Sequence, residues 1–285
     1  MRNYLVVGGA GGVGSAVVER LAGRGDAVET TVLEEAEAAA IRSRYEGRVT
    51  AHVVDLSDAE AALDRLKAIV DAMPALDGAI NCAAIAPWGA TEATPLATYL
   101  KAYEVNVGGG VAMYQAAMPA LRRTRGHIVL IGSMGGRVAL PVLSAYTCTK
   151  YALEGLGDIM RREAAPQGVK VSIVQPGGIR TNMVFQQFEG VRRSMEALQP
   201  EMRDRYAYLY ESYARFAEAG LNEKSSSPDD VAGVVVAALD SEEPQSRYIV
   251  GEDAKEMLGL LGSMSDGDVD GMLAQMYSVG AGAEA

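Results

Sequence analysis

Short apolar runs recur along this chain, and the segments between them carry apolar residues three and four positions apart. The runs at 4–7, 27–33, 49–54, 78–81, 127–131, 169–174 and 248–250 are short and rich in Val and Ile, which predicts strands. The stretches 13–22, 58–70, 96–121 and 145–164 have helical spacing. Because the two kinds of segment alternate, the expected fold class is α/β: a Rossmann-type doubly wound parallel sheet of about seven strands with helices on both faces. No internal repeat or low-complexity linker divides the chain, so residues 1–285 are expected to form a single domain.

The rhythm fails once. From 181 to about 220 no strand pattern occurs, while Phe185, Phe188, Tyr206, Tyr208, Tyr210, Tyr213 and Phe216 accumulate among charges. A helical lid insertion over 182–226 is expected after the sixth strand, at the strand ends where such a sheet opens to ligand. Ser227 before Pro228 is the expected N-cap of the helix that resumes the alternation. The tail 263–285, rich in Gly, Ala and Ser, is expected to fray at its end.

Composition narrows the function classes. With 285 residues, 49% of them hydrophobic, the chain can build a sizeable core without metals or disulfides. A formal net charge of −11 and the lack of a basic cluster argue against nucleic acid as a partner. Cys82 and Cys148 lack CxxC spacing, and His52 and His127 read as structural residues at strand starts, so no metal site is expected. The N-terminus has no signal-peptide pattern, and no apolar run reaches the roughly 18 residues of a membrane span. A soluble cytoplasmic protein with no membrane partner is the expectation.

The first strand runs into VGGAGGVG at 7–14. Gly8, Gly12 and Gly14 let the backbone turn tightly, approach a pyrophosphate and start a helix whose first amides hold phosphates, with Gly11 and Val13 along the same groove. The strand–loop–helix context points to a dinucleotide; a tight turn without ligand is the alternative. The acidic residue that usually binds the adenosine ribose should lie about 20 positions on. That slot falls on Val32, with Leu33 next and Glu34 beyond. Glu34 is either the ribose carboxylate or a solvated residue opening the next helix. No Arg or Lys occupies Gly11, Val32 or Leu33, where a 2′-phosphate would want a cation. NAD(H) or NADP(H) is therefore the expected cofactor, with a tilt toward NAD(H).

Tyr146 and Lys150 are four apart in a helical segment, so they project from one face. An ammonium beside a phenol favours the phenolate and should lower a pKa that begins near ~10. Ser133 follows the fifth strand at its C-terminal end, where its hydroxyl can donate to a carbonyl oxygen while Tyr146 moves the proton.

With these residues in place the chain resembles the short-chain dehydrogenase/reductase family. The TGxxxGxG loop of that family appears as VGGAGGVG, its Asp-apolar pair as Asp55-Leu56, and its NNAG motif as NCAA at 81–84. Asn106, Ser133 followed thirteen residues on by YTCTK, and PGGIRT at 176–181 continue the match in order, over roughly residues 1 to 250. The resemblance implies catalysis by Asn106, Ser133, Tyr146 and Lys150. Lys150 would hold the nicotinamide ribose, and Asn106 a water linking Lys150 to solvent. Asp55 and Leu56 would border the adenine, and Asn81, Ala83 and Ala84 the sheet edge beside the cofactor. Pro176, Gly177, Ile179 and Thr181 would meet the nicotinamide end. Asn106 read without the family is a helix-kink residue before Gly108, Gly109 and Gly110.

Departures are visible too. Val7 stands where a loop-bracing Thr is usual, and Cys82 and Ala84 replace Asn and Gly. The last third is similar to the branch of hydroxysteroid and retinol dehydrogenases, which implies a bulky apolar alcohol or ketone as substrate, with the aromatic insertion, Met183, Met195 and Trp88 lining the cleft. These aromatics could equally pack the insertion or a subunit contact. The resemblance further implies a homodimer or homotetramer through the helices near 96–121 and 145–164. A dinucleotide-binding sensor without redox chemistry, or a dehydratase or epimerase on the same fold, are the alternative functions.

Overall fold

The computed structural model describes residues 1–45, 47–180 and 182–278, with the side chains of 182–188, 219–223 and 278 outside that description. Strands β1 (Asn3–Val7), β2 (Ala27–Val32), β3 (Val49–Val53), β4 (Gly78–Asn81), β5 (His127–Ile131), β6 (Lys170–Pro176) and β7 (Arg247–Val250) form one sheet. Their order is β3-β2-β1-β4-β5-β6-β7, and every pairing is parallel. The order reverses between β1 and β4, which opens a crevice at the C-terminal ends of those strands.

Side chains alternate across the sheet as the pleat requires. Leu5, Val7, Ala79, Ile128, Leu130 and Ile173 join one core, and Tyr4, Val6, Val28, Ile80, Val129 and Val174 join the other. Helices α1 (Gly12–Gly23) and, later in the chain, α9 (Pro228–Asp240) cover the second face. On the first face α3 (Ala59–Ala72) packs on the Gly109–Thr124 helix. Helix α2 (Glu35–Tyr45) lies beside β3.

The helical signal at 96–121 resolves into α4 (Leu96–Tyr103), a π turn over Glu104–Gly108 and α5 (Gly109–Thr124). Such a bulge inserts an extra residue per turn and re-aims the side chains inside it, Asn106 among them. Helix α6 (Ser144–Ala164) carries Tyr146 and Lys150, and Tyr99 and Ser144 share a 2.5 Å hydrogen bond that pins its start to α4.

The insertion after β6 forms α7 (Asn182–Glu196) and α8 (Pro200–Glu223). Ser227 caps α9 in a reciprocal capping box with Asp230. After β7 come α10 (Glu252–Leu261) and α11 (Asp266–Ser278), so the tail up to Ser278 contains a helix seated on α8, while the end expected to fray lies outside the described residues. Ser212 donates to the Tyr277 carbonyl at 2.9 Å, and the Tyr277 side chain is buried. His52 is the fourth residue of β3, not its start, and lies 2.5 Å from Glu29 on β2. Among the described residues no helix is long and apolar enough to cross a membrane, and no cluster of metal-ligating side chains occurs.

Candidate active site

The glycine loop is compulsory in its details. Gly8 has φ of 86°, and a Cβ there would lie 2.8 Å from the Ala83 backbone; at Gly14 it would lie 2.1 Å from the Gly8 carbonyl oxygen. Only hydrogen fits at either place. The hydroxyl lost with Val7 is supplied from the next strand: the Gly8 N–H donates to the Thr31 carbonyl at 3.1 Å and to Thr31 Oγ1 at 3.2 Å. Gly11 caps α1 without any side-chain acceptor. The first amides of that helix are thus left to meet an anion, the arrangement that binds phosphate groups.

Gly11, Gly12, Val13 and Gly14 line a cavity of about 480 Å³. Ser133, Tyr146, Lys150, Ala84, Pro176, Gly177 and Ile179 line the same cavity. Burial pushes the Tyr146 phenol up, and its hydrogen bond with Ser133 pulls the other way. Lys150 therefore does not produce the lowered phenol expected from its spacing. Its Nζ lies 5.5 Å from the Tyr146 ring centre and donates to the Ile131 carbonyl at 2.8 Å. Burial lowers Lys150 to about 8, against the opposing pull of Cys82 and Glu154. Ser133 Oγ accepts from the Gly135 N–H at 3.0 Å, which fixes its rotamer and leaves its proton to donate.

Asn106 is buried and fully engaged. Its Oδ1 accepts from the Ile85 N–H at 2.8 Å, and its Nδ2 donates to the Ile85 carbonyl and to Thr149 Oγ1, each at 2.9 Å. Both amide protons are spent on protein, so in this structure Asn106 braces the segment after β4 against α6. Asn81 Oδ1 accepts from the Ala83 N–H at 3.3 Å, a bracing role beneath the loop. Leu33, Glu34 and Asp55 are exposed beyond the ends of β2 and β3, outside the cavity. Leu56 is buried, at the distance where a Cβ on Gly109 would meet its Cδ1 at 3.0 Å. Asp55 is held below the usual carboxylate range by hydrogen bonds with Ser57. Thr181, predicted at the nicotinamide end, lies outside the described residues, as do the side chains of Met183, Phe185 and Phe188.

Part of the cavity wall is apolar. Trp88, Val138, Leu140, Leu143, Tyr213, Phe216 and Met257 form it, with Trp88 and Tyr213 rings 4.9 Å apart. Of the insertion's aromatics, Tyr213 and Phe216 face the cavity. Others fasten the insertion: Tyr210 accepts from the Ala90 N–H at 2.8 Å, and Tyr206 donates to Glu92 at 2.5 Å. Met195 packs beside Val191 and Tyr210 instead of lining the cleft. Val142, at φ 60°, holds a left-handed conformation unusual for a β-branched residue, at a cost of about 1–3 kcal/mol. Its carbonyl accepts from Gly89 N–H at 2.9 Å, which sets the turn into α6.

Sequence reasoning passed over three contributors. Thr31 gave no local signal because it acts across strands. Cys82 sits in the cavity wall beside Lys150, and burial pushes its thiol up to about 12. Asp253, far along the chain, reaches the wall from α10.

A family model described as short chain dehydrogenase matches residues 2–192. The chain is 30% identical over 257 residues to 17-beta-hydroxysteroid dehydrogenase type 6 of Bos taurus, covering 88% of this chain and 80% of that one. A short-chain dehydrogenase from Streptomyces avermitilis superposes with a TM-score of 0.78 at 26% identity, over 99% of this chain and 98% of the other. One from Burkholderia cenocepacia, solved in complex with NADP, gives 0.71 at 23% identity, over 97% and 99%.

Proposed function

Because the chain belongs to the short-chain dehydrogenase family, we propose that its cavity transfers hydride between a nicotinamide and a secondary alcohol or ketone with a bulky apolar body. The general activity, an NAD(P)-dependent oxidoreductase, follows from the family and its dehydrogenase relatives. The observation that carries the finer reading is one cavity whose wall includes the glycine loop Gly11 to Gly14, Ser133, Tyr146 and Lys150, and the aromatic side chains Trp88, Tyr213 and Phe216.

Gly11 to Gly14 would hold the pyrophosphate on the α1 amides, and the turn after β6 would border the nicotinamide. Hydride donation or acceptance is the chemistry supplied by the bound nicotinamide. Ser133 donates a hydrogen bond to the substrate oxygen, and Tyr146 gives it a proton on reduction or takes one on oxidation. Lys150, whose Nζ donates to the Ile131 carbonyl at 2.8 Å, would hold the nicotinamide ribose rather than lower the phenol. Asn106 positions α6 through Thr149, which itself donates to the Tyr146 carbonyl at 2.6 Å.

The end of β2 supports NAD(H). The Glu37 carboxylate accepts from the N–H groups of Leu33 at 3.0 Å and Glu34 at 3.2 Å, so amides that could meet a phosphate already hold an anion. Glu34 and Glu35 are exposed beside it, and Arg42 is paired with Glu35 at 2.6 Å. A 2′-phosphate would bring two negative charges to an acidic corner, whereas ribose hydroxyls can donate to it. Initial rates with NADH and NADPH against bicyclic or steroidal ketones and a small keto acid test both parts. The expected result is at least about tenfold higher kcat/KM for NADH and for the bulky ketone, roughly the discrimination a hydrophobic pocket provides. Dinucleotide binding without turnover of any ketone would remove the redox assignment in favour of a sensor.

We also infer a homodimer or homotetramer. Leu96, Leu100 and Tyr103 on α4, with Tyr151 and Ile159 on α6, are exposed on packed neighbouring helices, an apolar area of the kind that marks subunit contacts. Light scattering should give a dimer or tetramer mass, reduced by Ile159→Arg; a monomeric wild type would refute this.

A further inference from the structure

Asp253 comes from outside every motif that frames the site. Gly251, at φ 102°, turns the chain from β7 into α10, and Asp253 is the second residue of that helix. Its Oδ2 accepts from the Gly178 N–H at 2.6 Å. Its Oδ1 is buried and has no hydrogen-bond partner among the described residues, an exposed cost for a charged oxygen unless something nearby offsets it.

Two glycines make room for this carboxylate. A Cβ at Gly177 would lie 2.2 Å from Oδ2, and one at Gly251 2.4 Å from Oδ1. The turn at 176–179 is clamped on both sides: Gly177 N–H donates to the Val250 carbonyl and Ser226 N–H to that of Gly178, each at 2.9 Å. Pro176, Gly177, Gly178, Ile179 and Asp253 all line the cavity that holds Tyr146 and Lys150. A fixed negative charge has therefore been set into the wall at the turn read above as the border of the nicotinamide, and the inference rests on that reading.

We propose that Asp253 is a positioning residue that seats the 176–179 turn and makes the site prefer the oxidised, positively charged nicotinamide to the reduced one. The physical ground is that the oxidised ring carries a full positive charge and the reduced ring none. A carboxylate in a partly desolvated wall consequently stabilises one redox state and leaves the other unaffected. Its unpartnered oxygen is then offset by a charge that arrives with the ligand. Lys150 places a positive charge in the same cavity and works against this preference, which gives the carboxylate a counterweight to overcome.

The test uses the full chain and compares dissociation constants for NAD⁺ and NADH, measured by calorimetry, in wild type, Asp253→Asn and Asp253→Ser. The amide keeps an acceptor for Gly178 and nearly the same volume but has no charge; serine does the same in a smaller space and serves if the amide disturbs folding, which circular dichroism reports. The expected result is NAD⁺ binding weakened five- to twentyfold, with NADH changed less than twofold. A purely structural role would weaken both alike, and an unchanged ratio of the two constants overturns the proposal. Wild type binding neither dinucleotide would instead overturn the cofactor reading beneath it, which makes the two failures distinguishable.

Discussion

Replacement of Tyr146 by phenylalanine is expected to lower kcat/KM by about 10²–10⁴-fold, the span that a general acid/base usually contributes, while dinucleotide affinity stays within about twofold. The variant keeps the ring that lines the cavity between Ser133 and Lys150 and removes only the hydroxyl that Ser133 meets. Single-turnover rates and calorimetry on the same preparation separate chemistry from binding. Turnover within threefold of wild type would mean that the proton passes through another group. The charge setting also has a sign: burial raises the phenol and lowers Lys150 to about 8. The Lys150 ammonium is thus present below about pH 8 and is lost above it.

Gly14→Ala should abolish measurable dinucleotide binding and cost about 1–3 kcal/mol of stability, the usual range for overpacking. The added Cβ would stand 2.1 Å from the Gly8 carbonyl oxygen and 3.1 Å from the Gly9 Cα. Those are backbone atoms of the loop itself, so no side chain can rotate away. Gly8 in turn cannot retreat, because its N–H is held by Thr31 and its Cα abuts Ala83. Thermal melts with and without NADH read both effects: a lower Tm for the apo variant and no upward shift on adding dinucleotide. A variant that melts normally and binds normally would show the loop to be a plain turn.

Much of the site could be read from the chain because its parts are local. The glycine spacing, the strand before it and the helix after it lie within a few residues, and the Tyr146–Lys150 pair needs only one helical turn. The Ser227 cap is equally short in range. Strand ends were displaced by only a residue or so, since hydrophobic alternation fades where the chain turns. The helix at 266–278 and the π turn at 104–108 are not legible in the sequence pattern for related reasons. Composition does not reveal that 266–278 finds a partner in α8, and a π turn leaves no periodic mark of its own.

What the sequence by itself determined is the alternating pattern that makes a parallel sheet, the glycine loop between its first strand and helix, and the Ser133, Tyr146 and Lys150 set that lines one cavity with that loop. The folded structure alone decided what surrounds them. Thr31 makes good the hydroxyl missing at Val7, Glu37 occupies the amides past β2, and Asn106 is bound to Ile85 and Thr149. Asp253 reaches a turn 75 residues back, and the phenol at Tyr146 is raised, not lowered. The reason is that spacing along a chain fixes which side chains share a turn or a face. Burial and cross-strand partners depend on which segments meet in space, and these set charge states and hydrogen-bond networks.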